Sequence, residues 1–224
     1  MVHDWPSHPR VSGPSVGTVP PATTSETTDQ RPLQWLGMYY STKAVSLVQE
    51  ADLDKPTPCH GWSVRDLLRH MIGHNRGFAS ALEGHPTELG IWDGLDLGVD
   101  PRPHWAESAR RIVAAFATRS PQAGYVPLSV YGVVPLTQAI RMHAIDYLLH
   151  AWDLGAALGR KPVLDEDACL DVLDIVESWP AGHPDIWGPG APFAHPLAVP
   201  ASSPAADRVL GLLGRSPTWP DDEG

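Results

Sequence analysis

Apolar residues recur at helical spacing along most of the chain and predict an all-α fold. Four long segments follow this pattern, with apolar side chains three or four positions apart. They are residues 32–51, 63–84, 102–119 and 135–158. Connections rich in Pro, Gly and Asp separate these segments, and no segment shows the alternation of apolar and polar residues typical of a strand. Four long helices joined in this way predict a four-helix bundle.

Local signals support the ends of these helices. Ser63, followed three residues later by Asp66, resembles a capping box at the start of the second helix. Gly159 follows the last apolar position of the fourth helix, where a glycine commonly ends a helix. Beyond it, two shorter helices are predicted over residues 165–179 and 205–213, separated by a segment rich in Pro and Gly.

The chain is expected to divide into a tail, a bundle and an extension. Residues 1–30 are rich in Pro, Ser, Thr and Gly and nearly lack large apolar residues, which indicates a disordered N-terminal tail. Residues 31–160 contain the four long helices of the bundle. Residues 161–224 are expected to form a C-terminal extension of helices and loops that packs on the bundle.

Composition and charge narrow the classes of function. The formal net charge is −10 over 224 residues, so neither a nucleic-acid partner nor a membrane surface is expected. The N-terminus shows no basic region followed by an apolar stretch, so no signal peptide is expected, and no apolar run is long enough to span a bilayer. Cys59 and Cys169 form no zinc-finger spacing and no disulfide framework. We therefore expect a cytoplasmic monomer or homodimer with small-molecule partners.

Ionisable side chains interrupt the apolar pattern of the fourth helix. His143, Asp146 and His150 are three and four residues apart, so they project from one face and can converge on one point. The helix is otherwise apolar nearly all round, which is typical of a segment enclosed by other helices. Burial of such groups is costly unless partners or a metal compensate. The pattern indicates a metal site, with an ion pair or hydrogen-bonded core histidines as the alternative.

The second helix offers a histidine that would complete such a site. His70 and His74 have the His-x-x-x-His spacing of metal ligands, and periodicity alone does not select between them. One of these histidines, with Asp146 and His150, would give three ligands from two helices and leave a position open for water or substrate. Two nitrogens and an oxygen suit Zn²⁺ best, although Ni²⁺, Fe²⁺ and Mn²⁺ accept the same ligand types.

Two motifs carry a family resemblance. They are PTPCHGWSVRDLLRH at residues 56–70 and DYLLHAWDLGAALGR at residues 146–160. Both closely resemble the DinB-like superfamily and, within it, the mycothiol-dependent maleylpyruvate isomerase N-terminal domain family. The resemblance covers about residues 33–160, and LGRSPTW at residues 213–219 is similar to a terminal motif of single-domain members. It implies a four-helix bundle that holds a divalent metal, usually zinc.

The resemblance also implies ligands and chemistry. On the matching positions the metal ligands are His70, Asp146 and His150, where Asp146 stands in place of a commonly seen Glu. The metal is expected to stabilise the thiolate of mycothiol as cosubstrate, for S-transfer to, or cis-trans isomerisation of, a small electrophilic substrate. The residues after Arg160 are too few and too rich in loops for the further C-terminal domain of maleylpyruvate isomerase, so another substrate is expected.

Further polar residues are candidates for the same pocket. His74 and His143 are candidate catalytic groups, with structural roles as the alternative. Arg76 and Arg141 are candidates to bind a carboxylate of the thiol or substrate, unless they are solvated surface residues. Cys59 is expected to be structural, because the resemblance implies an external thiol. Two other functions stay open, namely a metal-dependent hydrolase without a thiol cosubstrate and a non-catalytic DinB-like binding or stress protein.

Overall fold

The computed structural model describes residues 29–85, 95–119, 124–128, 132–179, 186–188 and 191–220. The described residues are mostly helical, which confirms the all-α fold class. The helices are α1 (Arg31–Ser46), α2 (Val64–Leu82), α3 (Arg102–Ala117), α4 (Leu136–Ala157), α5 (Glu166–Glu177) and α6 (Ala205–Leu212). A 3₁₀ turn spans Glu50–Asp52, and two short strands are β1 (Tyr125–Leu128) and β2 (Gly132–Pro135). The tail expected over residues 1–30 lies almost wholly outside the described residues.

The helix ends follow from local sequence. At the start of α2, Ser63 Oγ accepts a hydrogen bond from the Asp66 amide, and the Asp66 carboxylate accepts one from the Ser63 amide. Gly159 follows α4 with a φ of 67°, in the left-handed region that glycine adopts readily. The two shorter helices predicted beyond it are confirmed as α5 and α6. Among the described helices, none has the length and apolar character needed to cross a membrane.

The hairpin between α3 and α4 departs from the expectation of a fold without strands. β1 and β2 pair antiparallel, with Tyr125 opposite Pro135 and Leu128 opposite Gly132. Each strand has only four residues, and both contain proline, which lacks the amide needed for regular pairing. Sequence alternation is therefore hard to recognise here. The strands pair because Val126 and Leu128 are buried in the apolar core beside the helices.

The described residues form two compact units, divided between Leu164 and Asp165. The first unit contains α1 to α4 and the hairpin, and therefore every candidate site residue named above. The second contains α5 and α6, which are linked by an ion pair of 3.1 Å between Arg208 and Glu177. The expected packing of the C-terminal extension on the bundle stays a prediction.

Within the first unit, α1 packs along α4 and α2 packs along α3. Glycine at position 37 allows α1 to approach α4 closely, since a Cβ there would lie 3.1 Å from the Ala144 carbonyl oxygen and from the Leu148 amide nitrogen. One turn later, Ser41 Oγ donates a hydrogen bond of 3.0 Å to the carbonyl oxygen of Tyr147. These contacts fix the position of α4 in the bundle.

A chain of polar side chains crosses the core beside α4. The ring nitrogens of His143 contact Asn75 Oδ1 at 3.1 Å and Gln34 Nε2 at 3.5 Å. Asn75 in turn donates to Ser108 Oγ at 3.2 Å. The His143 ring also stacks on Tyr147, with ring centroids 4.0 Å apart. Since a carbonyl oxygen only accepts, the consistent arrangement has His143 Nε2–H donating to Asn75 and Nδ1 accepting from Gln34.

Burial keeps His143 neutral. Loss of solvent contact lowers the pKa of His143 to about 3, although the nearby charge of Asp146 opposes this shift. The unfolded histidine has an ordinary pKa of about 6.5, so at mildly acidic pH it binds a proton that the folded protein excludes. The stability that depends on neutral His143 is therefore present above about pH 6.5 and is lost as the pH falls towards the folded pKa.

This linkage predicts a pH-dependent cost of replacing His143. The difference in unfolding free energy between wild type and His143→Gln should shrink by about 2 kcal/mol as the pH falls from about 7 to about 5, since each pKa unit corresponds to about 1.4 kcal/mol. Denaturant titrations of both proteins in metal chelator measure this difference. His60→Gln, at an exposed position, serves as the control. A difference that stays constant with pH would contradict the assignment.

Candidate metal centre

The three predicted ligands lie together between α2 and α4. Asp146 and His150 are one turn apart on α4, and His150 Nε2 lies 3.2 Å from Asp146 Oδ1. His70 on α2 approaches the other carboxylate oxygen, with its Nε2 3.6 Å from Asp146 Oδ2. The carboxylate of Asp146 therefore faces one imidazole with each oxygen, and the two imidazoles come from different helices.

His74 faces the same carboxylate one turn after His70. Its Nδ1 lies 3.8 Å from Asp146 Oδ2, and the centroids of the His70 and His74 rings are 3.8 Å apart. One donor atom from each of His70, His74 and Asp146 lies within 4.8 Å of the other two. The structure thus brings both α2 histidines to the site, and sequence periodicity had not selected between them.

The types of donor atom at this site suit a divalent metal. Zinc binds imidazole nitrogen and carboxylate oxygen at about 2.0–2.2 Å, so tetrahedral coordination separates neighbouring donor atoms by about 3.3 Å. The separations of 3.2 Å and 3.6 Å join His150 and His70 to different oxygens of Asp146. The donor atoms that all lie within 4.8 Å of one another are those of His70, His74 and Asp146, so His150 faces the carboxylate from outside this compact group. Asp146 Oδ2 is also buried and accepts no hydrogen bond within 3.5 Å from the described residues. A metal ion bound to this oxygen would compensate for the missing hydrogen bond.

The ionisable groups of the cluster differ in the direction in which their pKa values are shifted. Burial raises the pKa of Asp146, but the nearby His150 and His70 outweigh it and hold this pKa well below the usual range. Burial disfavours the charged form of His150, yet Asp146 and further hydrogen bonds raise its pKa well above the ordinary value. Burial, together with His70, lowers the pKa of His74. The cluster therefore contains an ionised carboxylate and a neutral His74.

The site is closed on one side and open on the other. The indole of Trp62 covers the histidines, with ring centroids 5.0 Å from His70 and 6.3 Å from His150. The side chains of His74 and His150 retain only 7% and 6% of their exposure, whereas Asp146 retains 24% and His70 13%. Solvent therefore reaches the cluster beside Asp146 and His70.

A second carboxylate and a thiol lie on the side of the His150 ring opposite Asp146. The sequence had singled out neither of them for the site. Asp153 Oδ2 lies 2.8 Å from His150 Nδ1, and Cys59 Sγ donates to the same oxygen at 3.2 Å. Asp153 is fully buried on α4. The signal that could have revealed it is its position three residues after His150, which places both side chains on one helix face.

The remaining candidates lie apart from this cluster or are already paired. His143 belongs to the core chain with Asn75 and Gln34, and both of its ring nitrogens are engaged there. Arg76 forms an ion pair with Glu107 at 3.1 Å. Arg141 is half-buried on α4. The catalytic role of His143 and the binding roles of both arginines stay predictions.

Comparison with known proteins identifies the family of the chain. The profile of the mycothiol maleylpyruvate isomerase N-terminal domain matches residues 40–155. Two uncharacterized proteins of Mycobacterium tuberculosis, from strains CDC 1551 / Oshkosh and H37Rv, are each 30% identical over 174 residues, covering 75% of this chain and 88% of the relative.

A solved structure supports the fold. The crystal structure of a mutant of mycothiol-dependent maleylpyruvate isomerase aligns with a TM-score of 0.55 at 19% identity, over 69% of this chain and 70% of that chain. Identity this low carries information about the fold alone. The profile match spans more than half of the sequence and includes α2, α3 and nearly all of α4. The chain therefore belongs to the mycothiol maleylpyruvate isomerase N-terminal domain family.

Proposed function

We propose that this protein is a metal-dependent thiol enzyme that uses mycothiol for S-transfer to, or isomerisation of, a small electrophilic substrate. One observation carries the proposal: the half-buried Asp146 carboxylate is shared between His70 and His150 from two helices. The identity of the proposed thiol is taken from the family, because the matched domain is that of a mycothiol-linked isomerase.

The metal would be held by His70, Asp146 and His150, and Zn²⁺ suits this set of two nitrogens and one oxygen. Three protein ligands leave a position for an exogenous ligand. When bound, the metal lowers the pKa of a thiol and so supplies the nucleophilic thiolate at neutral pH. The exposed side beside Asp146 and His70 gives a thiol its route to that position.

The surrounding residues have separate proposed tasks. Trp62 shields the buried side of the cluster from water. His74 is adjacent to Asp146 and is the proposed catalytic group beside the ligands, where its lowered pKa keeps it neutral and able to donate or accept a hydrogen bond. Arg76 and Arg141 are proposed contacts for a carboxylate of the thiol or substrate, and Arg76 would share its guanidinium with Glu107.

The chemistry requires only one nucleophile. Addition of the thiol sulfur to a conjugated double bond creates a single bond that can rotate, and elimination of the thiol then restores the double bond in the other geometry. Attack of the same sulfur on a carbon with a leaving group expels that group and transfers the thiol. Isomerisation and S-transfer therefore share one site and differ in the substrate.

Loss of a ligand should remove the metal. Purified wild-type protein is expected to contain one equivalent of divalent metal, while His150→Ala and Asp146→Ala each bind zinc more than about 100-fold more weakly, since even residues outside the ligand shell change metal affinity by 10- to 100-fold. Elemental analysis and competition with a chromophoric chelator measure both quantities.

His85→Ala, at an exposed position after α2, is the matched histidine control and should bind zinc as wild type does. Circular dichroism verifies that each variant keeps its helices. A wild-type protein that binds no divalent metal, or ligand variants that bind it unchanged, would contradict the proposed site and with it the hydrolase alternative.

Thiol binding should be visible in the cobalt-substituted protein. Mycothiol is expected to add an intense sulfur-to-cobalt charge-transfer band in the near ultraviolet and to change the visible absorption, because its sulfur would enter the open position. Titration of the Co²⁺ protein with mycothiol, and with its S-methyl derivative as control, measures this change.

A spectrum that mycothiol leaves unchanged would reject the thiol mechanism and favour a hydrolase that uses metal-bound water. A spectrum that changes, without turnover of any unsaturated acid or alkylating electrophile, would favour a binding protein over an enzyme.

A further inference from the structure

Asp153 is the most deeply buried carboxylate of the bundle's polar cluster. It lies three residues after His150 on α4, with no exposed surface, and its Oδ2 is 2.8 Å from His150 Nδ1. On the other side of the same ring, His150 Nε2 faces Asp146 Oδ1 at 3.2 Å. The imidazole of His150 is therefore held between two carboxylates, one in the proposed ligand set and one behind it.

The geometry fixes which nitrogen of His150 is available to a metal. An ionised carboxylate only accepts hydrogen bonds, so a contact of 2.8 Å with Asp153 places a proton on Nδ1. Without a metal, Nε2 also carries a proton and faces Asp146 Oδ1. A metal would replace that proton, because the contact with Asp153 retains the proton on Nδ1. We propose that Asp153 is a positioning residue that orients His150 for metal binding, an inference that rests on the proposed metal site.

Cys59 extends this arrangement to the turn before α2. Its Sγ donates to Asp153 Oδ2 at 3.2 Å, so a single oxygen accepts from both the thiol and His150. The turn is fixed by hydrogen bonds from the Cys59 amide to Thr57 Oγ1 at 3.2 Å and from the Trp62 amide to the Cys59 carbonyl oxygen at 2.9 Å. Cys59 thus links the turn that presents Trp62 to the carboxylate behind His150.

A second metal bound by Cys59, His150 and Asp153 is the competing interpretation. Their donor atoms lie within 4.8 Å of one another, as a metal cluster requires. However, two ligands at about 2.0–2.2 Å from a tetrahedral ion are about 3.3 Å apart. The 2.8 Å between Nδ1 and Oδ2 is instead the length of a charge-assisted hydrogen bond. The observed separation favours positioning over a second ion.

The test compares zinc affinity with the stability of the metal-free protein. Asp153→Asn keeps the side-chain volume and removes the charge, so zinc affinity should fall by about 10- to 100-fold, while the metal-free variant keeps its helical content. Cys59→Ala should lower affinity less than Asp153→Asn, and Cys59→Ser, which retains a donor, should restore wild-type affinity. Asp54→Asn, at a carboxylate whose side chain is 91% exposed, is the matched control.

Nitrogen NMR of zinc-loaded wild type labelled at histidine gives an independent readout that needs no variant to fold. The expected result is a proton on Nδ1 of His150 and zinc on Nε2. Zinc on Nδ1, or a second zinc equivalent that Cys59→Ala removes, would overturn the inference. Unchanged zinc affinity in folded Asp153→Asn would also overturn it and leave the proposed metal site intact, whereas a wild type without zinc affinity would reject both.

Discussion

The structure of the site depends on one half-buried carboxylate, that of Asp146. It is placed in an otherwise apolar helix, where an isolated charge is strongly disfavoured. Its two oxygens face His150 on the same helix and His70 on α2. Because these contacts connect α2 with α4, the helix packing and the donor geometry are coupled. A metal ion at this position would compensate the charge and join the same two helices.

Two groups of polar side chains occupy neighbouring parts of α4, and the histidines of the two groups differ in protonation. His143 is enclosed by aromatic rings and neutral amide groups, and burial keeps it uncharged. His150 lies between carboxylates, which favour its charged form in the absence of metal. Tyr147 lies between these systems in sequence and donates its hydroxyl to the Met71 carbonyl oxygen on α2. One helix thus contains a hydrogen-bonded core histidine and a proposed ligand two turns apart.

Helical periodicity predicted the bundle because apolar stripes and end signals act locally, as the capping box of Ser63 and Asp66 shows. The short hairpin was not predicted, since its pairing depends on contacts with the core and prolines obscure its pattern. The contact between Asp146 and His150 was predictable from their spacing within one helix.

A choice between His70 and His74 depends on how α2 lies relative to α4, which sequence periodicity does not give. The family resemblance indicated His70 alone. The structure brings both to the carboxylate. Asp153 and Cys59 are 94 residues apart in sequence, and their contact exists only in the folded chain. Sequence spacing could indicate Asp153 but not the thiol that shares its oxygen.

X-ray absorption at the zinc edge of the loaded wild-type protein tests the central claim most directly. The proposed ligand set predicts a first shell of nitrogen and oxygen at about 2.0–2.2 Å, with the scattering pattern of two imidazoles and no sulfur until a thiol is added. A sulfur at about 2.3 Å in thiol-free protein, or a shell without imidazole, would contradict the proposed ligand set of His70, Asp146 and His150.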